Sequence, residues 1–557
     1  MESLFKAGSE LVGVSSDQFK LIFCLLVAYP LGSLYVRIPY TSPAARHFFS
    51  IAVSTFFLLA VLRLYTGFLH LLASAVFTYV VAFSIRGSAM PWIVFAAVMG
   101  HLTVNQAIRA WSNVGYDTID ITGSQMVLTM KLTTFAWNIY DGQRNTADLD
   151  ASQLETQITS FPSPLAFLGY VFYFPGILVG PTVEYVYYEQ LVSGQLFVSN
   201  PTSEVKGEKK RVPEGRKRVA YTKLLLALVF LGFYAVAGPS MDYTRILEPA
   251  YLEKSFFSKL LFAQGLGLTQ RTKFYGVWLL TEGASILTGL GFNGYSPTGA
   301  TLWNRTANLD IMNIEFAPSF KILLDSWNIN TVVWLRNCIY KRVTPKGKKG
   351  GFGSMLITFL TSAFWVRTML VPVLESMLNI HFFARFLKHG IYIGYYLTFF
   401  YGVFIQYANR LMRQYVRPFF VPTGPNAANA PLSLGKIFYD AAGILTTAVI
   451  LNYVVVPFQL LDLKRSILAW HRMGWYGHII VAIPLIFFMN GGKKIVRAQL
   501  AKRGIVIPGG KGASAGGGNG TSASPTAGKG GGSNGVKSPV PPVEPRINGK
   551  ASKKTKK

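Results

Sequence analysis

The chain is poor in charge and in cysteine. Charged residues are 14% of its 557, against roughly 25% in soluble globular domains, so a string of soluble domains of this length is excluded. Two cysteines, Cys24 and Cys338, are too few for a disulfide framework, and no Cys/His spacing suits zinc. No metal ligands and no cofactor are expected. Acid is scarce as well: 25 Asp and Glu stand against 54 Lys and Arg, a net charge of +29. With no soluble domain to carry that excess, a nucleic-acid partner is not expected. There is no GxSxG elbow and no Cys–His pair to support a covalent acyl-enzyme route. Repeated halves with matching broken helices, which a transporter fold predicts, are not seen either. The first ten residues, MESLFKAGSE, lack the basic start of a secretory leader, so the first apolar run reads as a membrane helix.

What the chain has is apolar residues in blocks. Hydrophobic residues make up 51% and mean hydropathy is +0.33. Blocks near the length that spans hydrocarbon fall at 19–38, 48–65, 68–85, 90–108, 164–183, 221–238, 274–290, 355–365 and onward, 391–407, 437–457 and 475–490. A shorter one at 126–139 reads as re-entrant or interfacial. Backbone groups in lipid must be satisfied internally. The expectation is therefore an all-α polytopic membrane bundle of about ten to twelve segments, with residues 1–504 as one domain. Positive charge gathers at 206–218, 341–349, 410–417 and from Lys493 onward. The positive-inside rule puts all four on the cytosolic side, where a basic rim would attract an anionic substrate or lipid. Residues 505–557, rich in Gly, Ser, Pro and Lys, cannot bury a core and read as a disordered cytosolic tail. The tail ends KKTKK, close to a dilysine retrieval signal except for Thr555.

Between 274 and 402, polar and aromatic residues crowd into apolar surroundings. Glu282 interrupts WLLTEGASILTGLGFNG (278–294), and Lys131 sits in the shorter run. Both read as members of buried structural pairs. In WNINTVVWLRNCIYKRV (327–343), Trp327, Thr331 and Trp334 recur at i, i+4 and i+7, one face of a helix. By composition alone this stretch could equally be an interfacial aromatic belt with snorkelling basic residues. His389 opens HGIYIGYYLTFFYG (389–402), and TSAFW stands at 361–365. An ionisable residue in such a run is a functional candidate.

Removing residues 366–388 would fuse these two strings into SAFWHGxxxGYYLTF. The fused string resembles the histidine motif of the membrane-bound O-acyltransferases, in their lysophospholipid acyltransferase branch. The family pattern W-N-x-x-T-x-x-W-L-R-x-x-x-Y-x-R is met at Trp327, Asn328, Thr331, Trp334, Leu335, Arg336, Tyr340 and Arg342. QMVLTMKLTTFAWNIYDG (125–142), YVFYFPGILVGPTVEY (170–185) and EGASILTGLGFNG (282–294) resemble its earlier signatures, so the likeness runs in order over 125–402. The resemblance implies acyl transfer in a buried tunnel of an endoplasmic-reticulum membrane protein, from acyl-CoA as co-substrate to a lysophospholipid. His389 would be the general base, and Asn328 the second active-site polar residue. Trp327, Thr331, Trp334, Arg336, Tyr340, Trp365, Tyr395 and Tyr396 would contact substrate. Acceptors such as sterols, diacylglycerol or protein termini are the alternative within the family, and a non-enzymatic transporter is the alternative outside it.

Residues 366–388, VRTMLVPVLESMLNIHFFARFLK, divide Trp365 from His389, which the family keeps adjacent. They are expected to be a lineage-specific loop, a helix-lengthening insert or translated intron. The last has a coding argument. Val-Arg can be encoded GTACGT, a splice donor, and Lys as AAG, which ends in an acceptor, and the 23 residues stay in frame.

Overall fold

A computed structural model describes residues 2–12, 15–112, 118–198, 212–345, 350–366, 393–421 and 433–505. His389, nearly all of the 366–388 segment and the 506–557 tail fall outside them. Helices account for the regular structure, and among the described residues only two isolated β-bridges form. Among the described residues seven helices are long and apolar enough to cross a membrane: Ser16–Tyr35, Pro43–Val61, Tyr65–Ser84, Ala89–Arg109, Arg216–Ala237, Leu434–Leu460 and Tyr476–Lys502. Their outward faces carry large apolar side chains with no protein cover, such as Leu225, Val229 and Val236. Lipid is the solvent that tolerates such faces. The chain is thus an all-α polytopic membrane protein.

Phe256–Thr288 is the mast of the bundle. Its 33 residues give about 50 Å at 1.5 Å per residue. Arg216–Ala237 and Ser16–Tyr35 pack along it. All three meet at Gly283, where a Cβ would lie 2.1 Å from the Tyr29 hydroxyl and 3.0 Å from the Ala220 carbonyl. Here Glu282 pairs with Lys223 at 3.0 Å, so the expected structural pair is present. Thr122–Gly142 is buried nearly all round, which its run of Thr, Ser and Asn did not announce. Its Lys131 has no carboxylate partner among the described residues. The ammonium instead donates to the Tyr170 and Val171 carbonyls and sits 4.5 Å from the Tyr170 ring centre.

One expected span takes another form. Helix Pro164–Val171 has only eight residues, about 12 Å, and the chain from Phe172 to Glu184 is irregular. Pro175 and Pro181 with Gly176 and Gly180 end helix propagation there. Irregular backbone at membrane depth must be covered by protein, and Phe172, Tyr173, Phe174 and Ile177 are buried.

The described parts of the basic patches gather at one end of the bundle. Arg216 donates to the Leu287 carbonyl at 2.7 Å. Arg305 donates to the nearby Phe292 carbonyl and lies over Tyr187, whose hydroxyl reaches Glu155 at 2.5 Å. In the same loop Asp150 receives Lys341 at 2.7 Å. Arg410 donates to the Gly350 carbonyl, and Arg497 to the Tyr415 hydroxyl. Leu434–Val454 and Tyr476–Phe487 carry the chain away and back between the last two patches.

Candidate active site

Helix Phe320–Ser326 ends at Trp327, and helix Ile329–Leu335 begins after Asn328. Asn328 itself is left-handed, φ 49° and ψ 53°, a conformation Asn tolerates better than most residues. The expected single helix face is therefore broken: Trp327 precedes the break, and only Thr331 and Trp334 share the second helix. Asn308 holds the junction. Its carbonyl accepts from Ile329 N–H at 2.9 Å, and its Oδ1 accepts from the Asn330 backbone and side chain at 3.0 and 2.7 Å. Asn328 Oδ1 does not cap its own helix but accepts from the Thr331 hydroxyl at 2.9 Å.

This junction forms part of the wall of a cavity of about 710 Å³ inside the bundle. Of the candidate site residues, Trp327, Asn328, Thr331, Trp365 and Tyr395 line it. Trp334, Arg336, Tyr340 and Tyr396 do not. Trp334 is buried behind the wall, donating from Nε1 to Thr133 Oγ1 at 2.8 Å and packing on Trp365 at 5.6 Å between ring centres. It supports the wall rather than presenting to it. Arg336 is exposed, and Tyr340 and Tyr396 are half-buried away from the cavity. Arg336–Tyr340 is a π-helical turn, which rotates the end of this helix out of the register its start would set. Trp365 is fixed by its own Nε1 on the Met126 carbonyl at 3.0 Å and by Gln106 on its carbonyl at 3.2 Å.

His389 lies outside the described residues. Both flanks of its segment nevertheless reach the cavity: Val366 and Tyr395 line it. Helix Ile393–Leu411 is anchored at its start by Gly394 N–H on the Leu461 carbonyl at 2.9 Å.

An adjoining part of the wall comes from one stripe of the mast, Gly267, Gln270, Arg271, Phe274 and Trp278. Trp327 packs edge-on against this stripe, 5.7 Å from Phe274 and 5.2 Å from Trp278. Arg271 is paired through Nε and Nη2 with the two oxygens of Glu315, at 2.9 and 2.6 Å. Sequence reasoning passed over Asn308, Arg271 and Glu315. An intramembrane Arg in GLTQRTKFYG was a visible signal, whereas Asn308 sits in an ordinary-looking loop.

At the basic end, Arg342 forks onto Asp141 with distances of 2.8 and 2.5 Å and covers the Trp137 ring at 4.1 Å. Asp141–Gly142 thus closes its helix under a clamp. Beside it, burial alone would raise the Asp150 carboxyl. Hydrogen bonds from Lys341, Ser152 and the Gln153 N–H outweigh that and hold it at about 2. Among the described residues no three His, Cys, Asp or Glu side chains are placed to hold a metal ion.

Residues 107–365 match the family model of MBOAT, the membrane-bound O-acyltransferase family. The match ends at Trp365, where the interruption begins. Over 484 residues the chain is 37% identical to a lysophospholipid acyltransferase of Schizosaccharomyces pombe, covering 87% of this chain and 88% of that protein. A lysophospholipid acyltransferase of Saccharomyces cerevisiae is 35% identical over 489 residues, 86% of this chain and 74% of that one. Human membrane-bound glycerophospholipid O-acyltransferase 2 is 29% identical over 513 residues, 91% of each.

Proposed function

The chain belongs to the membrane-bound O-acyltransferase family, and from that premise we propose that it is an acyl-CoA-dependent lysophospholipid acyltransferase of the endoplasmic reticulum membrane. The observation that carries the reading is Asn328, held by Thr331 in the wall of a cavity that both flanks of the His389 segment also line.

In this reading His389 takes the proton from the acceptor hydroxyl. An imidazole suits that task because its unperturbed pKa lies near working pH. The acceptor oxygen attacks the thioester carbonyl, and the charge that develops on the carbonyl oxygen is met by the Asn328 amide N–H. Collapse restores the carbonyl and breaks the C–S bond. The departing CoA sulfur recovers the proton from His389, leaving CoA and a diacyl phospholipid. No covalent enzyme intermediate and no metal enter. Asn328 cannot exchange roles with His389, because an amide does not titrate. The aromatic wall of Phe274, Trp278 and Trp327 offers the acyl chain an apolar bed. The basic end of the bundle faces the cytosol in this reading, draws the CoA phosphates and carries the C-terminal tail.

Membranes containing the protein, given labelled acyl-CoA and a panel of lysophospholipids, should form labelled diacyl phospholipid. Label appearing only in sterol, diacylglycerol or protein would move the chain to another acceptor class. Label in no acceptor at all would overturn the reading.

A further inference from the structure

We propose that Arg271 forms the subsite for the acceptor's phosphate, an assignment that rests on the lysophospholipid reading and deepens it. Arg271 lies on the cavity-facing stripe of the mast, one helical turn before Phe274. Phe274 touches Trp327, the neighbour of Asn328 in sequence. An Arg buried among apolar helices is costly even when paired. A carboxylate partner alone does not explain why it opens onto the cavity. Three of its five N–H donors are engaged: Nε and Nη2 on Glu315, and Nη1 on Asn452 Oδ1. The Tyr275 hydroxyl also lies within hydrogen-bonding reach of the guanidinium, and the N–H left over belongs to a side chain that lines the cavity.

The partners are themselves fixed. Glu315 also accepts from the Tyr275 hydroxyl at 2.6 Å, and Asn452 donates to Gln264 Oε1 at 2.5 Å. The guanidinium plane is therefore held before any ligand arrives. A locked planar guanidinium that lines the cavity and keeps an N–H for a ligand can receive a phosphate oxygen. In a lysophospholipid the phosphate hangs on the same glycerol as the reacting hydroxyl. A phosphate at Arg271 thus keeps that hydroxyl in the neighbourhood of Asn328.

Acyl-CoA also carries phosphates, but distance separates the two sources. From Arg271 to Leu287, which meets Arg216 at the basic end, the helix runs about 24 Å at 1.5 Å per residue. CoA phosphates entering from that end stay far from Arg271.

The test uses full-length protein in membranes and measures KM for lysophospholipid and for acyl-CoA in the same preparation. Arg271→Gln combined with Glu315→Gln avoids an unpaired buried carboxylate. It should raise the lysophospholipid KM by at least about tenfold, the scale of a hydrogen bond to a charged group, and leave the acyl-CoA KM within about twofold. Arg271→Lys should fall between. Unchanged KM values, or a rise confined to acyl-CoA, would overturn the assignment. A second measurement needs no variant. A non-reactive ether lysophospholipid should protect the wild-type protein from thermal unfolding more than a monoacylglycerol of the same chain. Equal protection would overturn it too. Failure of the broader reading looks different: the wild type would acylate no lysophospholipid at all.

Discussion

Asn328 is where one residue's chemistry and its backbone are inseparable. A left-handed residue between two short helices costs most side chains steric energy. Here it turns the carboxamide to the cavity wall, where Thr331 holds the oxygen. With Oδ1 occupied, the Nδ2 donors are the part left for substrate. Thr331→Val keeps the shape and removes the hydroxyl. It should lower kcat by about tenfold, the scale of one lost orienting hydrogen bond, with KM little changed, while Thr331→Ser should retain most activity. If Val and Ser behave alike, Thr331 serves packing alone. Asn328→Ala should lower turnover by about 10²-fold or more, as loss of an oxyanion donor does. Asn328→Asp should not rescue it, because a carboxylate repels the developing negative charge. The identity of this pair was legible as motif letters. Its geometry was not, since a hydrophobic period cannot register a single positive φ. The i, i+4, i+7 spacing therefore suggested a continuous helix that Asn328 interrupts.

Among elements, helix Thr122–Gly142 contributes to the cavity wall, and cation–carboxylate contacts tie down its end and the loop at 143–157 that follows it. They differ in weight. Asp141 and Arg342 are both nearly inaccessible and meet through two hydrogen bonds. Removing Arg342 leaves Asp141 with Arg144 alone, at 3.2 Å, so Arg342→Ala should cost less than the about 3–5 kcal/mol of a fully stranded buried charge, read as a lower unfolding temperature in detergent. Lys341 and Asp150 are partly exposed, and Lys341→Ala should cost about 1 kcal/mol or less. The Asp150 carboxyl, held at about 2, sits below its ordinary value near 4. Its contribution is fully present above that ordinary value and is lost only as pH falls toward about 2. The Lys341→Ala difference should therefore be flat from pH 5 to 9, and a step within that range would assign the loop's anchorage to another group. Arg342 and Asp141 could each be read from sequence as residues near a membrane surface. Their pairing over 201 positions could not. The run at 164–183 misled for a related reason: apolar composition reads the same whether the chain is helical in lipid or irregular under protein cover.

At the scale of the molecule, the gathering of the basic patches was the most transparent feature, because it depends only on counting crossings between them. The interruption at 366–388 was equally plain, and the fold sharpens what it means. Its flanks are already in place: Trp365 is tied to Met126 and Gln106, the following helix is tied to Leu461, and Val366 and Tyr395 line one cavity. Continued as a straight helix, the segment would carry His389 about 34 Å along the axis, whereas misplacement of about 1 Å already lowers catalysis by about 10²-fold. A segment with Arg367, Glu375, His381, Arg385 and Lys388 is also expensive at membrane depth. We therefore expect mature transcripts to lack the corresponding 69 nucleotides, since their ends can be encoded as splice donor and acceptor. Sequencing cDNA across Trp365 and His389 reads this directly. The protein without residues 366–388 should acylate lysophospholipid faster than the full 557-residue chain. In that shorter protein His389→Ala should lower the rate by about 10²–10⁴-fold, the usual worth of a general base, while the protein still accumulates in membranes. Truncation after Gly504 should leave activity intact, because the tail has no core to contribute. Transcripts that uniformly carry the segment, with full activity from the long form, would instead make it a genuine loop beside the reaction centre.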